Sequence, residues 1–147
     1  MSIYCITLKY IENEIAKHPE NTIINYIDNK VDIYYKYRFV TMELNKGWPF
    51  YPPKNVIIIN KSVRFGSHQV PYNLYQRYKS VYNECPCCEC IINGNNWSPL
   101  YTIEDIVKQY DDVMRRYKKL YIKKWIHYFI PNIIPKDLNN DIINYLC

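Results

Sequence analysis

The feature that most limits how this chain can fold is an apolar stripe in its last third. Ile103, Ile106, Val107, Tyr110, Val113, Met114, Tyr117, Leu120 and Tyr121 recur at intervals of three and four residues. Lys108, Asp111, Asp112, Arg115, Lys118 and Lys119 fill the opposite face. Thr102 stands three residues before Asp105, a spacing that lets a hydroxyl accept from first-turn amides and start a helix. Pro131 and Pro135 close the region. A long helix with one apolar face must lay that face on another layer.

That layer is predicted from residues 23–59. Val31, Ile33, Tyr35, Tyr37 and Phe39 alternate along the chain, and the alternation then slips by one, so that Val40, Met42 and Leu44 become the apolar set. The slip implies a bulge or a tight change of strand. Ile23–Ile27 ahead of the turn pair Asp28-Asn29, and the apolar run Val56–Ile59, complete a four-stranded antiparallel meander. Asn45-Lys46-Gly47 breaks the pattern. The three prolines of Trp48-Pro49-Phe50-Tyr51-Pro52-Pro53 exclude regular structure there. Ile3–Lys17 reads as an amphipathic helix ending at His18-Pro19, and Asp137–Leu146 as a last short helix. Tyr72–Tyr82 reads as either a short helix or a tyrosine-rich loop.

The 147 residues suffice for one domain, residues 1–147, with a sizeable core. An apolar share of 48% and an aromatic share of 16% exclude a disordered chain. No apolar run approaches the roughly 20 residues that span a bilayer, and no basic segment leads into an apolar one at the N-terminus. The expectation is an intracellular, cytoplasmic protein without a membrane partner. The net charge of +5 is concentrated at Arg115, Arg116, Lys118, Lys119, Lys123 and Lys124. That stretch reads as the solvated face of a helix rather than a nucleic-acid surface. Three isolated glycines form no phosphate-cradling loop, and no carboxylates pair in a recognisable acid/base motif. Abundant Tyr, Ile, Asn and Lys suggest an AT-rich genome, such as that of a protist or a large DNA virus. If the origin is viral, the virion is a further location.

Chemistry concentrates in residues 85–101. Cys85, Cys87, Cys88 and Cys90 surround Pro86, and Trp97-Ser98-Pro99 follows. In a reducing compartment, clustered cysteines are catalytic or metal-binding more often than disulfide-bonded. A thiolate can be a nucleophile or a metal ligand, and a buried thiol is a small hydrophobe. Four thiolates suit zinc, although Cys85, Cys87, Cys88 and Cys90 are more compactly spaced than the two distant pairs of an ordinary zinc site. Cys5, His68, His127 or Cys147 would complete such a site.

Two local motifs resemble the ubiquitin-conjugating enzymes. Trp48-Pro49-Phe50-Tyr51-Pro52-Pro53-Lys54-Asn55-Val56 is similar to the aromatic-Pro-Phe-x-Pro-Pro segment after that family's third strand. Cys88-Glu89-Cys90-Ile91-Ile92, followed by Trp97-Ser98-Pro99-Leu100-Tyr101-Thr102-Ile103, is similar to the family's catalytic Cys-x-x-Ile-Leu and its Trp-Ser-Pro entry to the next helix. The resemblance covers residues 38–110 and extends outward by element order. It implies an α+β fold with a four-stranded antiparallel meander, an N-terminal helix and C-terminal helices. It also implies that Cys88, or Cys90 as runner-up, accepts ubiquitin or a related modifier as a thioester and transfers it to an amine. An activating enzyme and a ligase would be the partners. The family's His-Pro-Asn is absent. His68 precedes Gln69 and stands twenty residues before Cys88, and Asn83 is the nearest candidate for stabilising an oxyanion. A relative that has lost catalysis and serves as a protein-binding module is the alternative, and a cysteine-rich zinc-binding protein is the second.

Overall fold

Helix, meander and helices follow one another in the order that the apolar periods require. The computed structural model describes residues 3–65, 69–129 and 136–146. Helix α1 (Ile3–Ile15) leads into five strands: β1 (Thr22–Ile27), β2 (Lys30–Tyr35), β3 (Arg38–Glu43), β4 (Asn55–Ile58) and β5 (Lys61–Ser62). Helices α2 (Tyr72–Tyr82), α3 (Ile103–Phe129) and α4 (Lys136–Leu146) complete the elements among the described residues. The strands form one antiparallel sheet in chain order, so the class is α+β. Tyr72–Tyr82, left open between helix and loop by the sequence, is a helix.

Three hairpins are closed by two consecutive residues of positive φ: Asp28 and Asn29 (49° and 68°), Lys36 and Tyr37 (46° and 66°), and Ile59 and Asn60 (49° and 62°). Such pairs have the backbone twist that matches flanking strands. The Lys36-Tyr37 turn explains the slipped alternation. Ile33 pairs with Val40 and Val31 with Met42 across it, so these four share one face, while Tyr37 in the turn and Phe39 opposite Tyr34 are exposed. The slip is therefore a change of strand. The sheet's bulge lies elsewhere, between Ile23 and Asn25 in β1.

The expected four strands are corrected to five among the described residues. The fourth strand stops at Ile58, and Ile59-Asn60 turns the chain into the two-residue β5. A β-branched residue in the left-handed region is disfavoured sterically, so nothing in Val56–Ile59 marks Ile59 as a turn.

The inner face of the sheet carries Val31, Ile33, Val40, Met42, Val56 and Ile58. They share one core cluster with Ile103, Ile106, Val107, Tyr110, Val113, Tyr117 and Leu120 of α3. Burying each aliphatic side chain stabilises the fold by roughly 1.5–3 kcal/mol. Lys36 pairs with Glu104 at 2.9 Å and Arg38 pairs with Asp111, tying the β2–β3 hairpin to α3. Thr102 starts α3 as expected: its Oγ1 accepts from the Asp105 amide at 3.2 Å, and Asp105 Oδ2 accepts from the Thr102 amide at 2.8 Å.

Helix α1 contributes Ile11 and Ile15 to the core. Its buried Glu14 lies within the same face and accepts from the amides of Ile103 and Glu104 at the start of α3. Helix α2 packs on α3 through Tyr78 and Tyr117, with ring centroids 4.7 Å apart. Helix α4 contributes the buried Ile143, and its Leu146 carbonyl accepts from Lys118 at 2.6 Å. Within the basic stretch, Arg116 pairs with Glu84 and Asp112, and Arg115 with Asp112. Pro131 and Pro135 lie outside the described residues. No helix among the described residues is long and apolar enough to cross a membrane.

Candidate functional site

Helix α2 ends at Asn83, which adopts the left-handed conformation with φ 53°. Asparagine tolerates that region better than most residues. The cysteine segment follows at once. The amides of Cys88 and Glu89 both donate to the Cys85 carbonyl, at 3.1 and 2.9 Å, and coil the segment into a tight turn. A second turn follows, in which the Trp97 amide donates to the Asn93 carbonyl at 3.0 Å.

Side chains hold these turns together. Asn93 Nδ2 donates to the Cys87 carbonyl at 2.6 Å and to the Cys88 carbonyl at 3.1 Å. Asn96 Nδ2 donates to the carbonyls of Cys88 and Cys90, at 2.7 and 3.1 Å. Gln109 reaches across from α3. Its Oε1 accepts from the Ile91 amide at 2.9 Å, and its Nε2 donates to the Glu89 carbonyl at 2.8 Å. Four carbonyls of the cysteine segment thus have side-chain amide donors. A polar loop outside regular structure needs such partners for its backbone.

Two segments distant in sequence meet beside this loop. Trp97 Nε1 donates to the Pro49 carbonyl at 2.9 Å, and the Trp48 and Trp97 rings lie 5.2 Å apart. Trp48 is buried and Trp97 half-buried.

The four clustered cysteines take different positions. Cys88 is exposed, Cys85 and Cys87 are half-buried, and Cys90 is 1% exposed. Cys90 Sγ points into the core and lies 3.5 Å from the Val63 carbonyl. The other three sulfurs gather within 4.8 Å of one another. Cys85 Sγ is 3.1 Å from Cys87 Sγ, which is 3.9 Å from Cys88 Sγ. Tyr75 Oη, from α2, is 3.3 Å from Cys85 Sγ and 3.2 Å from Cys87 Sγ.

Clustering divides the protons unequally. Burial works against ionising Cys85, but hydrogen bonds from Cys88, Tyr75 and Cys87 outweigh it and lower the thiol to about 6. Hydrogen bonding to Cys85 and Cys87, with the charge on those sulfurs, pushes Cys88 up to about 12. Burial raises Cys90. The Tyr75 phenol is raised, first by its hydrogen bonds to Cys85 and Cys87. The cluster therefore favours ionisation at Cys85 and disfavours it at the exposed Cys88.

The structure thus brings together three of the four cysteines proposed as zinc ligands and sets Cys90 apart. Of the residues named to complete that site, His127 is exposed near the end of α3, with its ring 5.6 Å from that of Tyr128. His68, Cys147 and the side chain of Cys5 lie outside the described residues. Asn83 is exposed at the helix end. Tyr75, Gln109, Asn93 and Asn96 were not singled out by sequence. Tyr75 is one of several tyrosines in Tyr72–Tyr82, and nothing in the sequence sets it apart from the others. Asn93-Gly94-Asn95-Asn96 reads only as a turn. Gln109 lies beside the apolar stripe of α3, and nothing in its spacing marks it.

No family model matches the chain, and neither a curated protein nor a solved structure matches it.

Proposed function

We propose that the chain is a divergent ubiquitin-conjugating-type domain that accepts a ubiquitin-like modifier on Cys88 and passes it to an amine. The observation that carries this reading is the meeting of the two family-like motifs. Trp48–Val56 and Cys88–Ile103 are joined by the Trp97–Pro49 hydrogen bond and the Trp48–Trp97 contact. Cys88, the expected acceptor, is the exposed thiol of the adjoining loop. Phe50, Tyr51 and Leu100 stand exposed on the same two segments, an apolar surface of the kind protein partners cover.

The chemistry follows from the exposed thiol. Cys88 must lose its proton to solvent or to an adjoining sulfur, of which Cys87 Sγ lies 3.9 Å away. Cys88 sulfur attacks the carbonyl carbon of the modifier's thioester on its activating enzyme. The new S–C bond forms, the donor's S–C bond breaks, and the donor sulfur leaves as a thiolate that takes up a proton. An acceptor amine then attacks the same carbonyl. An amide forms, the amine proton is lost to solvent, and Cys88 is released.

A charging reaction with activating enzyme, ATP and ubiquitin, read on a non-reducing gel, tests the reading. The expected product is a reductant-sensitive adduct that is lost in Cys88→Ala and kept in Cys90→Ala. An adduct that survives Cys88→Ala rejects Cys88 as acceptor.

One observation favours a second reading, a domain that binds the modifier without being charged. The neighbouring sulfurs hold Cys88 in its protonated, poorly nucleophilic form. Saturable ubiquitin binding with no adduct would select that reading.

A further inference from the structure

We infer that Cys85, Cys87 and Cys88 form a three-sulfur binding site for a thiophilic divalent cation of the zinc class, with Tyr75 as its outer hydrogen-bond partner. The inference rests on the geometry of the thiols and stands whether or not Cys88 is ever charged.

Zinc binds cysteine sulfur at about 2.3 Å in tetrahedral sites, which places its sulfur ligands roughly 3.8 Å apart. The three sulfurs here span that spacing, at 3.1 and 3.9 Å for the adjoining pairs and within 4.8 Å overall. A covalent disulfide would need about 2.05 Å. The 3.1 Å approach of Cys85 and Cys87 is therefore non-bonded.

The backbone beneath the sulfurs is already organised. Two amides converge on the Cys85 carbonyl, while Asn93 and Asn96 hold the carbonyls of Cys87, Cys88 and Cys90. A site held before the ion arrives loses less conformational freedom on binding. Tyr75 Oη lies within reach of two sulfurs, and against thiolates it can act only as donor. Hydrogen bonds of that kind orient and tune metal ligands. Cys88 is exposed, which gives an ion a path of entry. Three sulfurs leave one tetrahedral position for a further ligand. Cys90, buried against Val63, is excluded from the donor set.

Shared use of Cys88 has a consequence under the conjugating reading: its sulfur cannot hold a cation and an acyl group together. Cation loading would then suppress charging.

The test uses the full chain, reduced and freed of metal, titrated with Co2+ as an optical probe and then with Zn2+. One equivalent of Co2+ is expected to produce thiolate-to-metal charge transfer and tetrahedral ligand-field bands, and Zn2+ to abolish both. Cys85→Ser, Cys87→Ser and Cys88→Ser should each weaken binding by more than tenfold, and Tyr75→Phe by about tenfold. Cys90→Ala should still take up one equivalent. Circular dichroism of each variant establishes that it is folded, and exposed Cys88 is the substitution least able to disturb folding. Absence of cobalt bands in the folded, reduced chain overturns the inference. So does a folded Cys88→Ser variant that binds as tightly as the parent. A chain that binds one cobalt yet never accepts ubiquitin supports this inference and overturns the conjugating reading. A chain that charges but binds no metal does the reverse.

Discussion

Glu104 in the first turn of α3, and Glu14 of α1 bonded to that turn, show how position alone reverses a residue's effect. Glu104 accepts from Lys36 at 2.9 Å and pairs with Lys108 at 3.2 Å. Those cations, Lys36 first, hold its carboxyl down at about 2, from 4.5. A depressed folded value means that the stability from these pairs is present above about pH 4.5 and is lost as pH falls toward 2. The melting-temperature gap between the parent and Glu104→Gln should therefore be widest near neutrality and close on acidification. A gap unchanged at pH 3 would assign the effect to packing. Glu14 is the opposite case. Burial raises its value, although the Ile103 and Glu104 amides pull it back. Its charge is a cost in the fold, so stability falls as pH rises from 4.5 through the raised value. Glu14→Gln, which keeps a carbonyl oxygen for the Ile103 amide, should melt no lower than the parent at pH 7, with an advantage that shrinks by pH 4. Glu14→Ala orphans that amide and should cost about 1–2 kcal/mol at pH 4 by chemical denaturation, and less at pH 7, where it also removes the buried charge.

Among the elements, α3 does more than cover the sheet. Its Gln109 holds both sides of the cysteine loop through Ile91 and Glu89. Replacement by Ala removes two hydrogen bonds worth about 1 kcal/mol each. The expected result is a loss of about 2 kcal/mol, with faster hydrogen exchange at Ile91 and faster alkylation of Cys88. Unchanged alkylation would show that the Asn93 and Asn96 contacts hold the loop by themselves. Glutamine on a polar helix face has no sequence signature for this role, because its partners lie 18 and 20 residues away and become neighbours only when the helix docks. The capping pair Thr102–Asp105 was legible because its partners are three residues apart. The hairpin at Asp28-Asn29 was legible because those residues favour the left-handed region. The hairpin at Ile59-Asn60 was not, because tertiary pairing imposed on Ile59 a conformation its side chain resists.

For the whole molecule, the cysteine segment sits where core and solvent meet, and its thiols should differ in what they contribute to stability. Cys88→Ala, at an exposed site, should change stability by less than about 0.5 kcal/mol. Cys90→Ala removes a buried atom from the cluster that includes Ile92, Ile103 and Val63, and should cost about 1 kcal/mol. Denaturant unfolding measures both. Equal costs would mean that the two thiols share one environment.

What the sequence by itself determined is the local part of this protein: the extent of α3, the meander, the irregular Trp48–Pro53 segment and the place where cysteines concentrate. Periodicity, caps and prolines act over a few residues, so they can be read from a few residues. Tertiary structure decided which sulfur meets water, which one enters the core, and which three converge beneath a tyrosine from another helix. In a tight turn each added residue swings the next side chain to a new direction. The fate of each thiol therefore depended on where the turn was pinned, and the pinning groups came from α3 and from the asparagines that follow.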